Sequence, residues 1–271
     1  MDKIDRLGWA EGITFVSYGV PVGVRVNRAG MLEQLVDRFP PGCKPSRART
    51  VERLYSLIIG GVGARPGIRR FNILYGNTQK LLRTLDIEEF LTVFESDVKL
   101  HVAAGARRRV FIHAGVVGWK GQAILIPGRS FSGKTTLVAE LLRAGATYYS
   151  DEYALLDSEG MVHPYPRPLS VRENGKHVKH APEIFGARSG SKPLRIGLVI
   201  ASKYKEGARW RPRSLSPAEG ALALVENTVS IQRQPETAIE ALRRALPNAT
   251  ILKGARGDAR EVVDFIRRKL L

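Results

Sequence analysis

Gly128, Gly133, Lys134 and Thr135 stand in the order G-x-x-x-x-G-K-[ST] within PGRSFSGKTT, residues 127–136. That is the spacing of a phosphate-binding loop. Its glycines let the backbone wrap so that N–H groups face phosphate oxygens, and the helix that follows adds its positive end. In such a loop Gly128, Arg129, Ser130, Phe131, Ser132, Gly133, Lys134, Thr135 and Thr136 surround a nucleotide such as ATP. Lys134 reaches the β- and γ-phosphates, and the Thr135 hydroxyl binds Mg2+. An acidic partner for the metal is present in Asp151-Glu152, 16 residues beyond Thr135. Neighbouring strand residues point to opposite faces, which favours Asp151 over Glu152 as the carboxylate at the metal. His113 lies 15 residues before Gly128, between Ile112 and Ala114. An ordinary core histidine suits that position, but a strand antiparallel to the one feeding the loop would bring His113 near the γ-phosphate.

The elements that must hold these residues are legible in outline. RVFIHAGVVGW (109–119) and QAILIP (122–127) are apolar strands separated by Lys120-Gly121, a connection short enough for an antiparallel hairpin. The loop is therefore expected to follow a hairpin strand, where many phosphate loops follow a strand of a parallel β-α-β unit. KTTLVAELLRAG (134–145) reads as the helix after the loop, and ATYYS (146–150) as a strand ending on Asp151-Glu152, with YALLD (153–157) continuing extended. Further on, PLRIGLVIAS (193–202) reads as a buried strand, Ser216-Pro217-Ala218-Glu219 as a capping box, and ATILK (249–253) as a strand between helices that begin after Pro235 and Asp258. The segment between, RPLSVRENGKHVKHAPEIFGARSGSKPLR (167–195), is polar and basic. It reads either as a flap that closes over substrate, with Arg167 or Arg172 neutralising phosphate charge, or as a solvated surface loop.

The first part of the chain carries no such motif. ITFVSYGVPVGVRVN (13–27) alternates like a hairpin, MLEQLVDRF (31–39) is helical, VERLYSLII (51–59) and RFNILY (70–75) are strands, and 86–106 is a long helix. GGVGARPG (60–67) imitates a dinucleotide fingerprint, but the spacing is wrong and no helix opens after it, so it reads as a turn. Arg107-Arg108-Arg109 marks a boundary between residues 1–108 and 109–271.

Composition narrows the class. With 271 residues, 44% of them hydrophobic, the chain can build a sizeable core. No apolar run approaches the length of a membrane span, and the charged start MDKIDRLGWAEG lacks a signal core, so a cytoplasmic protein without membrane contact is expected. One cysteine, Cys43, excludes a disulfide framework and a cysteine-built zinc site. The net charge of +17 is spread along the chain, with 18 basic and 11 acidic side chains in 1–110 and 25 and 15 in the remainder. Such a surface attracts nucleotides and other anions. No nucleic-acid-binding motif accompanies it, so specific nucleic-acid recognition is not expected.

Three quoted elements, IHAGVV, ILIPGRSFSGKTTLVAELLRAG and YYSDEYALLD, carry histidine, phosphate loop and acid in fixed order. This constellation resembles the catalytic domain of HPr kinase/phosphorylase and its relatives, strongly over 109–157 and more weakly over 158–271. The resemblance implies an α/β fold: a P-loop domain of the HPr kinase and phosphoenolpyruvate carboxykinase type, with a hairpin-fed phosphate loop, preceded here by a smaller N-terminal α+β region. It implies that Asp151 takes the proton from a serine hydroxyl, that His113 stands beside the transferred phosphate, and that ATP and Mg2+ are used. A serine-bearing peptide or protein as acceptor and a homo-oligomer are implied in the same way. Two departures stand out. The family commonly has two adjacent aspartates where this chain has Asp151-Glu152, and the glycine-rich signature linked to phosphorolysis has no match in 167–195. The chain thus resembles the HPr-kinase-related group, whose acceptors differ from HPr. Two other readings stay open on the residues: a nucleotide-binding regulatory or assembly protein with weak or lost transfer, and a small-molecule kinase.

Overall fold

The computed structural model describes residues 5, 7–61, 70–128, 132–173 and 176–269, and its chain divides into two compact units, Met1–Arg107 and Arg108–Leu271. In the first unit, β1 (Glu11–Ser17) and β2 (Val20–Val26) form a hairpin over Tyr18 and Gly19, both at positive φ, the turn whose twist suits an antiparallel pair. A short α1 (Met31–Leu35) follows, then β3 (Lys44–Pro45), β4 (Arg53–Ile58), β5 (Asn72–Gly76), β6 (Gln79–Thr84) and the long α2 (Ile87–Gly105). The six strands make one sheet in the order β3-β1-β2-β4-β5-β6. Phe90, Phe94, Val98 and Val102 of α2 bury against Val22, Val24, Tyr55 and Leu57 of that sheet. The helix expected over 31–39 is shorter: it passes into a 3-10 turn at Val36–Arg38, and Phe39 is extended, as the residue before Pro40 must be. Most of the turn expected at 60–67 lies outside the described residues.

The second unit is a mixed sheet covered on both faces. Its strands are β7 (Val110–Trp119), β8 (Gln122–Pro127), β9 (Thr147–Ser150), β10 (Tyr153–Leu156), β11 (Val162–His163), β14 (Ile196–Tyr204), β15 (Arg213–Ser214) and β16 (Thr250–Arg256), while β12 (Leu169–Glu173) and β13 (Lys176–His180) form a separate ribbon. The order is β11-β10-β7-β8-β14-β16-β15, with β9 also paired to β7. Alternation sorts the side chains cleanly. Ile124 and Ile126 of β8 face α3 (Lys134–Arg143) and α6 (Ala259–Lys269), while Ala123 and Leu125 face α4 (Pro217–Val225) and α5 (Pro235–Ala245).

The loop-bearing strand combines both arrangements that the sequence set against each other. β8 is antiparallel to β7, as the hairpin predicts, and it is also parallel to β14, which in turn runs parallel to β16. The carboxyl ends of β8, β14 and β16 therefore open on the same edge of the sheet, where ligands of α/β proteins are bound. The run 146–157 is not one extended stretch. The chain bends at Asp151-Glu152, so that β9 lies along Val116–Gly118 and β10 along Val110–His113. The basic segment 167–195 is not a free loop either. It holds the β12–β13 ribbon and a 3-10 turn at Pro182–Phe185, and Leu169, Phe185 and Ala187 enter the core beneath α3.

Candidate phosphate-binding site

Gly133 precedes α3 at φ 80, a left-handed conformation that glycine adopts without strain. The helix thus opens on Lys134 and Thr135 after an N-cap residue that has no side chain to cap its first N–H groups. At the other end of the loop, the Gly128 N–H donates to the His113 carbonyl at 3.0 Å, tying the loop to β7. Arg129, Ser130 and Phe131 lie outside the described residues. Lys134 and Thr135 are half-buried and Thr136 is exposed.

The bend after β9 sets the carboxylates. Ser150 Oγ accepts from the N–H groups of Glu152 (3.1 Å) and Tyr153 (3.0 Å), a local turn device that breaks the strand there. Asp151 is thereby brought to the helix: the Thr135 hydroxyl donates to Asp151 Oδ2 at 2.7 Å. Having spent its one proton on Asp151, Thr135 Oγ keeps its lone pairs for a cation. Gly115 of β7 makes room for this pair, since a methyl there would overlap the Val138 side chain at 2.5 Å and stand 3.8 Å from Asp151 Oδ1.

Electrostatics mark the same group. Burial pushes the Asp151 carboxyl up to about 6, against the Thr135 hydrogen bond, the Lys134 charge and the backbone N–H of Ser170, with Glu152 adding to the rise. Burial lowers the Lys134 ammonium below its ordinary value, and Asp151 and Glu152 partly offset this. Among the described residues, Asp151 Oδ1 and Ser132 Oγ are buried with no hydrogen-bond partner. Buried polar atoms are rarely left so. The free oxygen of the hydroxyl-bonded carboxylate and the Ser132 hydroxyl in the loop are groups that suit a hard cation and its phosphates, so the residues fit Mg2+ and a nucleotide. Among the described residues no three His, Cys, Asp or Glu side chains cluster as a self-contained metal site.

His113 pairs in register with Tyr153, and its ring packs 4.8 Å from that tyrosine's ring. Strand alternation puts it on the face of Gly115, the one that meets α3 and Asp151. Glu152 is half-buried, and its charge is felt at both Lys134 and Asp151. Arg167 is half-buried, and its carbonyl accepts from the Tyr148 hydroxyl at 2.5 Å. Arg172 sits exposed on the ribbon. No family model matches the chain, and no curated protein matches it. Among solved structures it is similar to the Hpr(Ser) kinase/phosphatase from Coxiella burnetii, with 14% identity, 59% of this chain and 92% of that chain covered, and a TM-score of 0.29. A likeness that distant carries no argument about chemistry, which has to rest on the geometry.

That geometry includes contributors that lie outside the motifs. Ser150 turns the strand, Ser170 supplies an N–H to Asp151, and Gly115 clears its space. Arg256, at the end of β16, donates from Nη2 to the Gly133 carbonyl at 2.5 Å. The signal for Arg256 was an arginine closing an apolar strand, ATILKGAR (249–256). Of the other three, Ser150 acts through its hydroxyl, Gly115 through having no side chain, and Ser170 through its backbone.

Proposed function

We propose that this protein is an ATP-dependent kinase that transfers the γ-phosphate to a hydroxyl group, with serine in a peptide or protein as the acceptor. The observation that carries the reading is the Thr135–Asp151 pair at the first turn of α3, with the second carboxylate oxygen buried and unsatisfied. A regulator needs the loop lysine and the metal, which this pair also serves, but has no use for a base; the buried carboxyl held up to about 6 is what favours transfer. Backbone N–H groups of the loop and Lys134 bind and orient the phosphates. Bound Mg2+, held by Thr135 and Asp151 with Glu152 beside them, would neutralise phosphate charge. Asp151, whose carboxyl burial raises to about 6 in the ligand-free chain, accepts the proton of the acceptor hydroxyl. As that O–H bond opens, the oxygen forms its bond to the γ-phosphorus and the bond to the β–γ bridging oxygen breaks, leaving ADP. His113, on the same strand face, is assigned to the side of the transferred phosphate. Positioning and charge neutralisation are most of what phosphoryl transfer needs. The choice of serine comes from the resemblance of the three sequence elements.

Transfer from γ-labelled ATP to serine-containing peptides tests this reading. Asp151→Asn is expected to bind ATP but to transfer at least about a hundredfold more slowly, the scale of general-base loss. Full transfer by that variant would place the base elsewhere. Nucleotide binding without transfer to any hydroxyl acceptor by the parent would favour the regulator.

A further inference from the structure

Arg256 is 1% exposed, and its described partners are neutral: Gly133 O at 2.5 Å from Nη2 and Ser202 Oγ at 3.2 Å from Nε. Among the described residues no carboxylate forms an ion pair with it. A buried cation is ordinarily paired, because removing it from water is costly. The placement makes the imbalance worse. The guanidinium stands at the N-terminus of α3, where the helix dipole is positive and Lys134 begins the first turn. It fills the space a Gly133 side chain would need, with Cζ 3.4 Å and Nη1 3.7 Å from the position of a Cβ.

A purely structural strut explains this poorly. The Gly133 carbonyl already accepts from the Leu137 N–H at 3.3 Å, so it does not require the arginine. The acid at the start of α3, Asp151, is engaged by Thr135 and faces Lys134. What the loop lacks is negative charge, and Ser132 Oγ and Asp151 Oδ1 are buried beside it without partners.

We infer that Arg256 is a positioning residue whose buried charge is matched by the phosphates of the bound nucleotide, so that it sets the preference for a triphosphate over less charged forms. The inference rests on the nucleotide reading above and deepens it. Calorimetric titration of the full chain with ATP, ADP and adenosine, in Mg2+, tests it together with the melting temperature of the ligand-free protein. Arg256→Met should weaken ATP at least about tenfold, the size of one charged hydrogen bond, weaken ADP less and leave adenosine unchanged. Its ligand-free melting temperature should be equal or higher, since an uncompensated buried charge is removed. Arg256→Lys keeps the charge but not the planar fork, and should hold the ATP-over-ADP ratio of the parent. The inference is overturned if Arg256→Lys loses as much ATP affinity as Arg256→Met, or if the ratio is unchanged in both. It is equally overturned if Arg256→Met fails to fold, because the charge then serves the ligand-free structure. Failure of the nucleotide reading looks different: the parent would not bind ATP, or Lys134→Ala would bind it as well as the parent.

Discussion

Asp151 stores a cost that pH can expose. Its carboxyl is raised to about 6 in the folded chain from an ordinary value of 3.8. Below the lower value both folded and unfolded chains hold the proton, and the residue costs nothing. Between them the unfolded chain ionises first, so stability falls as pH rises, and above about 6 the loss is complete. Asp151→Asn removes this dependence. Whatever fixed cost the amide brings, the stability difference between variant and parent should shift in the variant's favour by about 2 kcal/mol from pH 4 to pH 7. Urea unfolding of the ligand-free proteins at both pH values measures it. A difference that does not change with pH would show that Asp151 titrates like an exposed carboxylate, and would weaken its assignment as a tuned base.

At the scale of elements, the β12–β13 ribbon has one end fixed and the other exposed. Leu169 and Phe185 are buried beneath α3, and the Ser170 N–H supports Asp151, whereas Arg172, Glu173, Val178 and Lys179 are exposed. A two-stranded ribbon is marginal without further packing. Its amides over 176–180 should exchange quickly in the free protein and slow when Mg·ATP and acceptor bind, while those of β8 and β14 stay slow throughout. Slow exchange of the ribbon without ligand would leave it a static surface element. The ribbon also shows where sequence reading fell short. Asn174-Gly175 between Leu169, Val171 and Val178 is a two-residue hairpin signal in an alternating pattern. The density of basic residues masks that signal, and His177 and His180 lie on β13. The hairpin β7–β8, the helices after Lys134, Pro235 and Asp258, and the capping box at Ser216 were all legible, because each rests on local periodicity or local hydrogen bonds. The parallel pairing of β8 with β14, 70 or so positions away, was not. Nothing local encodes it, and that pairing is what brings Arg256 to the loop.

The two units have separate cores. Phe15, Val24, Tyr55, Phe90 and Phe94 belong to a cluster drawn wholly from the first, whereas the two clusters on either face of the β7–β8–β14–β16 sheet draw wholly on the second. Every residue assigned here to nucleotide binding or transfer lies in Arg108–Leu271, which also carries 27 basic and 15 acidic side chains, a net of +12. A stretch of that length buries enough surface to fold alone. A fragment beginning at Arg108 is therefore expected to unfold in one cooperative transition and to bind Mg·ATP within about threefold of the full chain, with affinity falling as salt screens the positive surface. Loss of cooperative folding would mean that the second unit depends on the first despite its own core. Transfer is the sharper comparison. If the fragment phosphorylates an acceptor peptide as the full chain does, residues 1–107 serve something other than the reaction. If it binds ATP but transfers poorly, and raising the peptide concentration restores the rate, then capture of the acceptor belongs to the first unit. A poor rate that no peptide concentration restores would instead show that the 108–271 site is incomplete by itself.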